Sequence, residues 1–213
     1  MSVPRRVAGA EEPVGKAETI LAAAERAFLA AGFGAVTMDA IAREAGVSKA
    51  TVYAHFHGKE ELFGAVVADL SQRRFGGFSA EALDPLDIEA SLTTIARGFL
   101  DLVLSPEGIA LNRIIVGEVT RFPALGQVFW AAAPERQRAQ IEALLRRAAA
   151  VGSLAIPDPR LAAEQFVALA RGEIHFRSML RLEDPRDPAS LGAAAANAVA
   201  TFLRAFAPVP RNR

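Results

Sequence analysis

"IAREAGVSKATVYAHF", residues 41–56, decides how the rest of the chain is read. Ala42 is small where two helices must cross closely, and Gly46 supplies a turn. Ile41, Ala45, Val47 and Val52 are apolar at the positions that a helix-turn-helix buries. In such a unit the second helix enters the DNA major groove with its N-terminal side chains near base edges, while the first crosses the backbone. The second helix here covers residues 48–56 and exposes Lys49, Ala50, Thr51, Tyr53 and His55, with Val47, Val52 and Phe56 as anchors.

Each exposed residue type has a use on DNA. Lys49 can donate to guanine O6 or N7, or to phosphate; Thr51 can bond a base edge or present its methyl to thymine. Tyr53, His55 and Lys59 can donate to phosphates. Thr37 heads the preceding helix, where free backbone amides make an anion site. Structural readings stand beside these: Thr37 and Ser48 are helix caps whatever the function, and Tyr53 can be simply half-buried.

Outward from this stretch the pattern stays helical, with apolar residues at helical spacing and no alternating β-branched runs. "KAETILAAAERAFLAAG" sets Ile20, Leu21, Ala24, Phe28 and Leu29 on one stripe and ends at Gly32, a position suited to a left-handed backbone. Thr37 caps a helix ending at Gly46, Ser48 caps the next, and a fourth opens near Gly58 and runs to about Arg74. Ser105-Pro106, Asp158-Pro159 and Asp187-Pro188 each put a capping side chain before a proline suited to the first helical position. Asp87 is a further cap, Pro123 marks a break, and Pro134 kinks or splits its helix. The expected fold is all-α with about nine helices. Residues 1–15 read as a flexible arm, 16–62 as a three-helix unit, and 63–213 as a larger helical domain.

Composition narrows the function classes. With 52% hydrophobic and 23% charged residues the 213-residue chain should fold, and having no cysteine it has no disulfide, thiolate metal site or Cys nucleophile. Net charge is zero, and up to Leu62 seven basic residues face eight acids, so a DNA-binding argument rests on where charges sit rather than on their sum. Arg5 and Arg6 pass directly to Glu11 and Glu12 with no apolar stretch between, and "LGAAAANAVATFL" is too short to span a bilayer. A cytoplasmic protein that uses neither cofactor nor membrane is expected.

The stretch "TILAAAERAFLAAGFGAVTMDAIAREAGVSKATVYAHFHGKEELFGAVV" closely resembles the N-terminal domain of the TetR/AcrR family of bacterial transcriptional repressors. The resemblance covers about a quarter of the chain. It is carried by the first amphipathic helix, Gly-Phe-x-x-x-Thr, Ile-Ala-x-x-Ala-Gly-Val-Ser, and Tyr-x-x-Phe followed by Lys-Glu-x-Leu. It implies a homodimer on a palindromic operator, a small-molecule effector bound by the larger domain, and repression rather than activation. It also implies phosphate contacts from Thr37, Tyr53, His55 and Lys59, and base or groove contacts from Lys49, Ala50 and Thr51, with Ser48 heading the helix. Arg5 and Arg6 would reach an adjacent groove. Gly58 departs from the serine that often caps the fourth helix in the family, and Ala50 is a variable point that tunes which base is read.

In the larger domain "EVTRFPALGQVFWAAAPERQR" resembles a stretch of AcrR-type effector domains. Phe99, Val103, Phe129, Trp130, Phe166 and Met179 are candidates to line an apolar pocket, with Arg113, Arg171 and His175 as polar contacts; plain core is the competing reading. Arg171 and His175, four apart, would share a helix face. Leu191, Ala195, Ala198 and Phe202 form a stripe that would meet a second copy, or else an intramolecular face. The expected function is a ligand-responsive DNA-binding regulator with no catalytic residues. Two alternatives are a regulator without a small-molecule effector and a metal-dependent helical enzyme built on His55-x-His57.

Overall fold

The computed structural model describes residues 15–76, 80–182 and 187–208, so the segment carrying Arg5 and Arg6 lies outside the described residues. Helix α1 (Lys16–Ala35) buries Ile20, Ala23, Ala24 and Phe28 along one face. Gly32 interrupts it at φ 79°, ψ 171°, a backbone region open essentially to glycine alone, and one more turn follows. Thr37 accepts from the Ala40 amide to open α2 (Met38–Glu44), and Ser48 accepts from the Thr51 amide to open α3 (Lys49–His55). Helix α4 (Lys59–Phe75) starts after Gly58 with no side-chain cap, and Glu60 and Glu61 in its first turn suit the dipole instead.

Asp87 caps α5 (Ile88–Val103) and Ser105 caps α6 (Pro106–Glu118). Pro123 opens α7 (Pro123–Ala132), and Pro134 ends that run and begins α8 (Pro134–Ala150), so the proline splits the segment rather than bending it. Asp158 caps α9 (Pro159–Met179) and Asp187 caps α10 (Pro188–Ala205). Caps of this kind stabilise by about 1 kcal/mol each. No strand occurs among the described residues, and none of their helices is long and apolar enough to cross a membrane.

Aromatic rings hold the first helices together. Phe28, Phe33 and Phe63 are fully buried, with centroids 5.8 Å, 5.3 Å and 5.5 Å apart pairwise. Each such ring contributes roughly 1.5–3 kcal/mol by leaving water. Helix α4 then passes from this cluster into the rest of the molecule, packing on α1, α5 and α7. At the other end α10 packs on α5 and α9, and Phe202 meets Phe166 edge-on at 5.1 Å.

Candidate nucleic-acid interface

The turn between α2 and α3 is built from backbone bonds. The Gly46 amide donates to Arg43 O at 3.2 Å and the Val47 amide to Ala42 O at 3.0 Å, with Gly46 at φ 67°. Val52 is fully buried beneath α3 and Val47 and Phe56 pack against the same core. This leaves Lys49, Ala50, Tyr53 and His55 exposed, and Thr51 half-buried. Lys49 Nζ lies 2.8 Å from Asp39 Oδ1 and 5.9 Å from the Tyr53 ring centroid. The hydrogen bond to Asp39, followed by its charge, raises the Lys49 pKa above the ordinary lysine value. The Ser48 and Thr51 hydroxyls share a bond of 2.8 Å, so Thr51 is oriented by the cap rather than free to rotate.

A cavity of about 610 Å³, counted with its open mouth, lies beside α4. Phe99 and Val103 of α5, Phe129 and Trp130 of α7, and Arg171 of α9 line it, as do Val67, Leu70 and Ser71 of α4, Leu111 and Asn112 of α6, and Gln137 of α8. Gln137 Nε2 donates to Ser71 Oγ at 3.0 Å, tying α8 to α4 across the wall. Trp130 sits at the mouth, with Nε1 donating to Glu135 at 3.0 Å. The Arg171 guanidinium lies over Phe99, 5.8 Å from the ring centroid, and burial lowers its pKa from the usual arginine value.

Residues 20–66 match the family model of the bacterial regulatory proteins of the tetR family, and residues 90–208 match that of the AefR-like transcriptional repressor C-terminal domain. The second match alone takes in more than half of the chain. The chain belongs to the TetR family. Another HTH-type transcriptional regulator, SrpR of Pseudomonas putida, is 32% identical over 139 residues, 65% of this chain and 63% of SrpR, so that match spans under two thirds of the relative's length. The structure of the Flavonoid-responsive Regulator FrrA is 33% identical with a TM-score of 0.71, covering 92% of this chain and 98% of that one. A TetR-family regulator from Mesorhizobium loti MAFF303099 is 29% identical with a TM-score of 0.73, covering 90% and 96%. The TetR family consists of DNA-binding transcriptional regulators, and this chain is one. The metal-enzyme alternative falls with that assignment.

Within the TetR frame several expected site residues occupy other places. Lys59, expected on phosphate, turns inward: Nζ donates to Phe33 O and Val36 O at 2.8 Å each and lies 4.4 Å from the Phe33 ring centroid. Two of its three N–H groups are thereby used inside the protein. Arg113 does not line the cavity; it donates to Ser178 O at 2.9 Å and Met179 O at 3.0 Å, closing the last carbonyls of α9. Phe166 is buried against Phe202, and Met179 packs on the core away from the cavity.

Arg171 and His175 are separated by a break at Gly172, φ 50°, ψ −166°, so the four-residue rule for one helix face does not apply to them. His175 lies off the cavity with Nε2 buried and unpartnered, and burial, aided by the Arg171 charge, lowers its pKa to about 4. The stripe expected to face a second copy is internal: Ala195, Ala198 and Phe202 are buried and Leu191 is half-buried, because α10 uses its small residues to approach α5 and α9. The α4, α6 and α8 walls of the cavity were missed because Val67, Leu70 and Leu111 look like ordinary core in sequence.

Proposed function

We propose that the chain is a homodimeric repressor that is released from a palindromic operator when a largely apolar small molecule fills the cavity beside α4. The observation that carries this reading is the double membership of α4. Its N-terminus holds Lys59 against the last turn of α1, while Val67, Leu70 and Ser71 wall the cavity. An occupant that repositions α4 changes the separation of the two α3 helices, which must match half-sites one DNA turn apart. Aromatic and aliphatic walls suit an apolar ligand, and Ser71, Asn112, Gln137 and Arg171 offer a few groups to orient it.

On α3, Lys49, Ala50 and Thr51 face bases, Tyr53 and His55 face phosphates, and Ser48 fixes the helix start, while Thr37 at the head of α2 also faces phosphate. The second copy docks on the outer faces of α9 and α10. There Leu161 and Leu169, ahead of the Gly172 break, and Phe176 and Leu180, after it, are exposed, Phe176 by 63%, beside exposed Ala193, Ala196 and Ala200. That much exposed apolar area along two neighbouring helices suits an interface rather than solvent.

Fluorescence anisotropy on a duplex that the protein selects from a random pool tests both halves. Lys49→Ala and Thr51→Val should change which sequences bind, each wrong contact altering discrimination by about 1–3 kcal/mol, whereas Tyr53→Phe should weaken all sequences alike. A flavonoid such as quercetin, chosen because FrrA is flavonoid-responsive, heads a panel of apolar compounds for release. Unchanged binding in all three variants would remove α3 from the interface. Compounds that bind in the cavity without loosening the duplex would leave a regulator that senses no small molecule.

A further inference from the structure

Helix α6 ends at Glu118, and its carboxylate enters the break in α1. Glu118 Oε1 accepts from the Phe33 amide at 2.8 Å and Oε2 from the Gly34 amide at 2.5 Å. These are the first free amides after Gly32, where the backbone has left the helix, so the acid caps the last turn of α1 as it would cap a new helix. The approach depends on two glycines. A Cβ at position 32 would meet Oε1 at 2.6 Å, and one at position 34 would meet Oε2 at 2.7 Å and the Phe122 ring at 3.1 Å.

The same turn is held from its other end. Lys59 Nζ donates to Phe33 O and Val36 O, and Phe122, four residues beyond Glu118, meets Phe33 edge-on at 5.2 Å. An anion from α6 and a cation from α4 thus grip one turn, residues 33–36, and Thr37 directly after it caps α2. Helix α6 also walls the cavity through Leu111 and Asn112. Leu111 and Glu118 are seven residues apart, two turns along one face of a helix that moves as a unit.

We propose that Glu118 is a positioning residue for DNA binding: it sets the direction of α2 and α3 and reports cavity occupancy to them through the break at Gly32. The coupling half of this rests on the reading that the cavity controls operator affinity. A charged acceptor held by two amides is directional, so a small displacement of α6 removes the acceptor from both donors together. Freed of it, the last turn of α1 samples more orientations, and fewer of them present α3 correctly.

The test is a double-mutant cycle on the full-length protein and the selected duplex. Leu111→Trp fills the cavity from α6 without any added ligand; Asn112→Phe replaces it should the first variant fold poorly by circular dichroism. Glu118→Gln keeps the size of the side chain but accepts well from only one amide. Glu118→Gln alone should weaken binding about tenfold and speed amide hydrogen exchange at Phe33 and Gly34. Leu111→Trp should do both in the wild-type background and change binding less than twofold in the Glu118→Gln background. Unaltered duplex binding by Glu118→Gln overturns the positioning role, and equal effects of the cavity filler in both backgrounds overturn the coupling. If the filler leaves wild-type binding intact while Glu118→Gln weakens it, cavity control fails together with the coupling, and the positioning role stands.

Discussion

Helices α1 and α9 are broken by the same device, a glycine at positive φ with ψ near 180°, at Gly32 and Gly172. What fills the two breaks differs. At Gly32 a carboxylate from α6 occupies the space a side chain would take, and two amides bind it; at Gly172 an added Cβ would meet nothing within 4 Å. The first break is a socket and the second only a bend. Backbone geometry alone therefore does not tell whether a glycine is there for conformation or to admit another group.

Gly32→Ala is the strongest way to break that contrast. It combines strain at φ 79° with expulsion of Glu118 and two stranded amides, about 3–5 kcal/mol in total. Urea unfolding measures it, and duplex binding should fall with it. Lys59→Met keeps the apolar stem but removes the donor to Phe33 O and Val36 O, which should destabilise by about 2 kcal/mol on the same assay. Gly172→Ala carries the strain without the collision and should cost about 1–2 kcal/mol with little effect on DNA. A loss equal to that of Gly32→Ala would mean the second break is also filled.

The smallest effect comes from pH. His175, three residues past Gly172, has its pKa lowered to about 4 from the ordinary 6.5. The unfolded chain therefore binds the proton more readily between those values, so stability is fully present above about pH 6.5 and declines as pH falls toward 4. Urea midpoints at pH 7 and pH 5 should differ, and His175→Phe should flatten the difference.

Features written in local chemistry were legible in the sequence. Thr37, Ser48, Asp87 and the three capped prolines act within a few residues, and Gly32, Gly46 and Pro134 dictate the backbone whatever surrounds them. What escaped depends on partners far along the chain. Lys59 could as well have reached a phosphate, and only the carbonyls of Phe33 and Val36 decide otherwise. The stripe through Ala195 and Phe202 announces close packing but not with whom, and Gly172 interrupts a segment whose apolar period continues across it. Glu118 gave no signal at all, since an acid at the end of a helix normally reads as solvated surface.

On the proposed reading of α3, the ion pair between Lys49 and Asp39 makes Asp39 a tethered competitor for DNA. In the free protein the ammonium heading α3 already holds a carboxylate at 2.8 Å, in a solvent-exposed pair. Any duplex that engages Lys49 exchanges one partner for another instead of filling an empty valence, which trims the gain from indiscriminate phosphate contact. A base that offers Lys49 better geometry recovers the difference, and discrimination between sequences is such a difference. In a chain whose net charge is zero, a neighbouring acid would on that reading serve selectivity by keeping the loose hold on random DNA weak.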